Sequence, residues 1–224
     1  MTDTNLTEIV AIIDRSGSMG HLRQDTIGGF NTFLAEQKKS SGKAKFTLVQ
    51  FDDLYQIDYD GVDIQSVKDL TEETYQPRGN TALLDAVGKT IVTVGERLAK
   101  MKEEERPGQV IFLIVTDGQE NWSKEYTVAS VISDMVKHQT EKYNWIFTFL
   151  GGGDAAFKQG AALGFSANNT YNYSANHGGT SNLYRSVSKG VSRRREKAAE
   201  GVLFCASVDS MLNDAEVKSL KTDD

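Results

Sequence analysis

The segment `DRSGS`, residues 14–18, closes the chain's first apolar run and sets Asp14, Ser16 and Ser18 at alternate positions. A plain turn needs only one short oxygen-bearing side chain. Alternate spacing in a tight loop lets all three turn toward one point, with Gly17 removing a bulky obstruction between the serines. A second apolar run, `VIFLIV` at 110–115, leads into Thr116-Asp117-Gly118. Asp14, Ser16, Ser18 and Asp117 are hard oxygen donors, suited to Mg2+, Mn2+ or Ca2+ rather than to zinc or copper. No Cys/His cluster competes, because His21, His138 and His177 are scattered. A third segment is needed to complete the shell, and `RGNT` at 78–81 presents the Thr81 hydroxyl just ahead of an amphipathic stretch.

Those loops need a scaffold. Residues 9–13, `IVAII`, are apolar on both faces, as is `QVIFLIV` at 109–115 and `WIFTFL` at 145–150, which predicts strands covered on two sides. `KFTLVQF` and `YQIDY` alternate and flank Asp52-Asp53, which predicts an edge hairpin. Helices are predicted from Met19 to about Gln37, from Thr81 to 105, over 123–138, from Asp154 and over 180–198, with a weaker strand near `NTYNY`. The stripe Leu84, Val87, Ile91, Val94, Leu98, Met101 is the clearest helical signal. Gly28 and Gly29 weaken the first helix, at about 1 kcal/mol each. Strands alternating with helices predict an α/β, doubly wound, mostly parallel sheet of six strands, with one antiparallel edge strand and helices on both faces. In such folds functional loops gather at the carboxyl ends of the strands, so the Asp14 and Asp117 loops are expected to be neighbours.

The three segments in order, `DRSGSM`, `GNTALLDAV` and `VTDGQEN`, resemble the von Willebrand factor A domain and its metal-ion-dependent adhesion site. The likeness covers most of residues 7 to 175, and is to free-standing members of bacterial or phage type. It implies that Asp14, Ser16 and Ser18 form the first metal loop, Thr81 the second and Asp117 the third. It implies that the serines and threonine touch the ion directly while one or both aspartates act through water. It also implies a protein partner whose Asp or Glu completes the shell of Mg2+, Mn2+ or Ca2+.

Taken singly, each residue has an ordinary reading. Asp14 and Ser16 suit a helix cap, Thr81 suits an N-cap, and Asp117-Gly118 suits a turn. Taken together, with the right order and strand-end placement, a metal site is the better account. Asp85, Glu120 and Asn121 lie near these loops and are read as residues that support the ligands or the local structure, not as ligands. Trp122 either packs or rims a partner site. The run Arg193–Arg195 reads as a solvated helix end, and Cys205 as a buried small hydrophobe. `GGGDAA` at 151–156 imitates a dinucleotide fingerprint, but it follows a late strand and no acidic residue occurs between Asp154 and Glu196. Close helix–strand packing accounts for its glycines.

Three functions compete. The first is a binding module without chemistry. The second is a metal-dependent phosphatase with Asp14 as nucleophile, though the carboxylate such enzymes carry two residues on is replaced here by Ser16. Neither serine lies in G-x-S-x-G, so a serine hydrolase is weaker still. The third is an adaptor for a cytosolic ATPase using the same metal site. No enzyme activity is expected. The chain has 224 residues with 25 Lys and Arg against 31 Asp and Glu, a net charge of −6. That balance argues against nucleic acid as partner. One cysteine allows a reducing compartment. The N-terminus `MTDTNLTE` shows no secretory signal, and `VIFLIV` is too short to span a bilayer, so no membrane partner and a cytoplasmic location are expected. One domain over residues 1–203 is expected, with a C-terminal extension over 204–224 made of a short helix and a frayed end.

Overall fold

The computed structural model describes residues 1–202 and 204–221. The order of elements is β1 (Asp3–Asp14), α1 (Arg23–Lys39), β2 (Lys43–Phe51), β3 (Tyr55–Asp63), α2 (Leu83–Lys100), β4 (Pro107–Thr116), α3 (Ala129–Tyr143), β5 (Ile146–Gly152), α4 (Gly153–Ala162), β6 (Thr170–Tyr173), α5 (His177–Ala199) and α6 (Asp214–Ser219). One six-stranded sheet runs β3-β2-β1-β4-β5-β6. All neighbours are parallel except β2 and β3, so the edge hairpin is as expected.

Side-chain alternation divides the core between the two faces. Ile9, Ala11 and Ile13 of β1, with Ile111, Leu113 and Val115 of β4, pack beneath α1 and α5. Val10 and Ile12, with Val110, Phe112 and Ile114, pack beneath α2 and α3. Both strands are therefore apolar on both faces over residues 9–13 and 110–115. The chain leaves β1 to build β2 and β3 on one side, then returns to lay β4 against the other side of β1. The order of strands thus reverses between β1 and β4, and a crevice opens at their carboxyl ends.

Several boundaries differ from the sequence reading. Residues 17–22 form a 3-10 turn before α1, so the first helix begins at Arg23 rather than Met19. Gly29 stays helical because Tyr184 of α5 packs onto it. A Cβ there would lie 2.3 Å from that ring, so the helix spends propensity on close packing. The helix expected from Thr81 starts at Leu83 and ends at Lys100, and residues 123–128 are an irregular loop. Gly151 lies against the backbone of Phe157 in α4, in keeping with the packing account of its glycines.

The basic run at the end of α5 is not a solvated surface. Arg194 and Arg195 are buried. Arg195 gives Nη1 to the Gln37 carbonyl and side chain and Nη2 to the Gly42 carbonyl, and so ties α5 to α1. Arg194 donates to the carbonyls of Asp209 and Ser210, while Arg193 pairs with Glu216 of α6. A planar guanidinium reaches several carbonyls at once, which lets three arginines organise the following segment. Cys205 is exposed rather than buried, since it sits in a turn held by Asp209. In the expected extension, Ala206, Met211, Leu212 and Leu220 join the α1–α5 core, and Asn213 and Glu216 form a capping box on α6. The end expected to fray includes residues 222–224, which lie outside the described residues. Among the described residues, no helix is long and apolar enough to cross a membrane.

Candidate metal centre

Asp14 is the last residue of β1 and is fully buried. Its two oxygens are held separately. Oδ1 accepts the Ser16 N–H at 2.6 Å, and Oδ2 accepts the Thr116 hydroxyl at 2.5 Å. The Ser16 and Ser18 hydroxyls are 3.0 Å apart, and Ser18 Oγ donates to Asp117 Oδ1 at 2.6 Å. The Asp14 and Asp117 loops are therefore neighbours, as the sequence requires. The second loop, that of Thr81, arrives through backbone: the Gly17 N–H donates to the Gly79 carbonyl at 3.1 Å, and the Arg78 N–H to the Arg15 carbonyl at 2.8 Å.

Gly118 marks where these groups converge. A Cβ built on it would lie 2.9 Å from Thr81 Oγ1, 3.3 Å from Ser18 Oγ and 3.4 Å from Asp14 Oδ2. Three oxygens from two loops, Asp14 and Ser18 from one and Thr81 from the other, thus face one small space beside Gly118 of the third loop, where a side chain at residue 118 would intrude. Ser16 and Asp117 adjoin it through Ser18. Thr81 is buried, Asp117 is half-buried, and Ser18 faces solvent, so the cluster is reached from outside. Among the described residues, no three of His, Cys, Asp or Glu gather at one point, so a cation site here has to be completed by hydroxyls. All five residues singled out in the sequence lie in this cluster. Their donor set, two carboxylates and three hydroxyls, fits a hard divalent ion.

Burial pushes the Asp14 carboxyl up to about 6, against the hydrogen bonds from Thr116 and Ser16 that favour its charged form; the nearby Asp117 charge adds to the rise.

The supporting residues resolve clearly. Thr81 does not cap α2. Glu120 does that from across the loop, its Oε2 accepting the Leu84 N–H at 2.8 Å, while Ser123 Oγ accepts the Asp85 N–H. A carboxylate at a helix start also meets the positive end of the helix dipole. Asp85 in turn accepts the N–H groups of Lys124, Glu125 and Tyr126, lashing the Asp117 loop to α2. Asn121 holds Thr81 twice, accepting its N–H at 2.9 Å and donating to its carbonyl at 3.0 Å.

Other contributors are absent from the sequence reading. Thr116 restrains Asp14. The Tyr75 hydroxyl donates to the Asp14 carbonyl at 2.7 Å. Buried Asp52 pairs with Arg15 at 3.0 Å and Arg78 at 2.9 Å, fixing the first and second loops to each other. None of these carries a local signal in the sequence, because each acts on a partner distant in the chain.

A doubly wound sheet with an oxygen-donor cluster at its β1/β4 switch point defines a class of α/β domain. The family model for the von Willebrand factor type A domain matches residues 8–184, and the chain belongs to that family. No curated relative matches the chain in sequence. Among solved structures, proximal thread matrix protein 1 from the mussel byssus is similar at 17% identity, with a TM-score of 0.56 over 82% of this chain and 45% of that one. A form of it with a zinc occupied MIDAS motif gives 19% identity and the same TM-score, over 83% and 46%. A von Willebrand factor type A protein from Catenulispora acidiphila gives 14% and 0.53, over 85% and 42%. The chain spans under half the length of these solved chains, and the likeness concerns the fold alone.

Proposed function

We propose that this domain is a metal-dependent binding module that engages an acidic side chain of another protein. The observation that carries the reading is the convergence of Thr81, Ser18 and Asp14 on the space left open by Gly118. Asp14, Ser16, Ser18, Thr81 and Asp117 would hold one divalent cation, Mg2+ first and Mn2+ or Ca2+ as alternatives. When bound, the ion supplies positive charge that three neutral hydroxyls leave under-compensated, and an exchangeable position for an outside carboxylate. The chain's own part is to keep the donors in place. Ser16 N–H and Thr116 fix Asp14, Asn121 fixes Thr81, and solvent-facing Ser18 leaves the cluster accessible. The structural neighbour with a zinc occupied MIDAS motif lends the proposal support.

We further propose that the domain is not an enzyme. Both Asp14 oxygens are already engaged, and the side chain is shut away from solvent, which suits a restrained ligand better than a nucleophile. His21 meets the Ser18 carbonyl rather than its hydroxyl, so it does not activate that serine. A cytoplasmic setting accords with the lone cysteine, whose thiol is exposed and unbridged.

Titration calorimetry tests the reading. Mg2+ or Mn2+ should bind one-to-one, and Asp14→Ala should abolish the heat while leaving the circular dichroism spectrum intact. Normal Mg2+ binding by Asp14→Ala would refute the ligand assignment. Metal-dependent turnover of a generic phosphoester that disappears in Asp14→Asn would favour an enzyme.

A further inference from the structure

Two large apolar side chains stand in solvent at the carboxyl end of the sheet, Leu54 at 59% exposure and Trp122 at 42%. Both are tied to the backbone that carries Thr81. Asp53 accepts the Asn80 N–H, and the Asp52 carbonyl accepts the Ala82 N–H at 3.1 Å, which sets the β2–β3 turn beside residues 80–82. Leu54 is the next residue of that turn. From the opposite side Asn121 bonds Thr81 twice, and Trp122 follows it directly. At about 3.8 Å per residue step, Trp122 originates within roughly 10 Å of Thr81, and Leu54 lies one residue from the Asp53 side chain that holds Asn80.

Neither side chain is on a loose support. Leu54 donates its N–H to Asp52 Oδ1 at 2.7 Å, and its carbonyl accepts the Asp52 N–H at 3.1 Å. Asp52 is itself clamped by Arg15 and Arg78. Glu120 accepts the Trp122 N–H at 2.9 Å, and Lys124 Nζ lies 4.9 Å over the centre of the indole ring. Apolar surface held out on rigid turns loses little entropy when a partner covers it. The flank toward α5 is different: its exposed groups there are polar, His21, Asn176 and His177. The apolar surface therefore lies on the α2 side. One cation stands over it, Lys124 against the Trp122 ring, while Arg78 is paired with Asp52.

We propose that Leu54 and Trp122 form an apolar rim to the metal centre, and that the partner presents a projecting acidic loop whose metal-seeking Asp or Glu is adjoined by apolar or aromatic residues. This rests on the metal-dependent reading above. The carboxylate anchors the loop at the cluster, its apolar neighbours cover Leu54 and Trp122 over the start of α2, and Lys124 beside the indole favours an acidic residue on that flank. Aromatic side chains beside a charged anchor are where interface energy concentrates.

The test uses a displayed library of disulfide-closed loops with a fixed central Asp and random neighbours, selected on the domain in Mg2+. The selected pool should be enriched in apolar and aromatic residues next to the Asp. The best loop, made as a fluorescent peptide, should bind Trp122→Ala about tenfold or more weakly than the parent. Leu54→Ala should also weaken it, whereas exposed Val208→Ala should not, and Mg2+ affinity by calorimetry should be unchanged in all three. Mg2+-dependent loops that bind Trp122→Ala and Leu54→Ala as tightly as the parent would overturn the rim and leave the metal reading standing. Loops whose binding survives EDTA would overturn the metal reading itself. A pool without enrichment beside the Asp would also overturn the rim.

Discussion

The Thr116 hydroxyl donates to Asp14 Oδ2 at 2.5 Å across the join between β1 and β4, linking residues 102 positions apart in sequence. The same oxygen accepts the Gly118 N–H at 3.1 Å, so the hydroxyl hydrogen is free to point at Asp14. Thr116→Val keeps the shape and deletes this restraint. Partners that orient a metal ligand are commonly worth about 10- to 100-fold in affinity. Mg2+ binding by Thr116→Val should weaken within that range, and Thr116→Ser should restore it. Calorimetry showing equal affinity for all three would remove Thr116 from the site.

The Asp14 carboxyl, pushed up to about 6 by burial, makes a pH prediction with a definite sign. Its folded value lies above the ordinary 3.8, so the folded chain takes up this proton first. In the metal-free protein, ionised Asp14 therefore lowers stability above pH 6, by roughly 3 kcal/mol, and the loss is relieved as pH falls from 6 toward 3.8. Metal-free Asp14→Asn should be the more stable protein in urea melts at pH 7, with the gap closing by pH 4. Protons also compete with the cation, so apparent Mg2+ affinity should fall below pH 6. An affinity flat from pH 7.5 to 5 would contradict this.

Away from the metal centre, Glu8 on β1 is fully buried and is held by Arg97 of α2, with Nη1 3.0 Å from Oε2 and Nη2 on Oε1, and by Thr47 at 2.9 Å. Removing one partner of such a pair leaves a stranded charge. Arg97→Ala should cost about 3–5 kcal/mol in urea unfolding, and adding Glu8→Gln should recover much of it. Metal affinity should not change in either variant.

Arg195 predicts that a conservative exchange is not conservative. Burial, with no carboxylate set against it, pushes its guanidinium down to about 10, and its partners are carbonyl oxygens of Gln37 and Gly42. A lysine ammonium does not span that set from one point. Arg195→Lys should lose about 2 kcal/mol or more, read as a lower urea midpoint with an unchanged slope.

The five proposed ligands were legible because each sits where local sequence announces a strand end or a helix start. The sheet was legible for a related reason: β1 and β4 are apolar on both faces and stand out as doubly covered strands. What stayed hidden depends on partners distant in sequence. Thr116 reads as one more β-branched strand residue until β4 is laid in register beside β1. Thr81 looked like the cap of α2 because the real one, Glu120, comes from 36 residues beyond Leu84. The arginines of α5 looked solvated because charge predicts surface. Their carbonyl partners come from α1 and the C-terminal segment, which no local pattern connects to them. Gly29 looked like a weakness until Tyr184 was set against it.

The order β3-β2-β1-β4-β5-β6 has a consequence for how the domain comes together. The donors at 14–18, 81 and 117 meet only after β4 docks beside β1, and the Ser18–Asp117 contact closes a separation of 99 residues. Closing so long a loop is slow, and fragments short of β4 lack Asp117 and the strand that brings the other donors together. A cation that needs the whole cluster recognises the finished sheet end and not its precursors. In stopped-flow mixing, added Mg2+ should therefore slow the unfolding limb and leave the refolding limb in place, as for any contact made after the rate-limiting barrier. Magnesium that accelerates refolding would mean that the β1–β4 junction forms before that barrier is crossed.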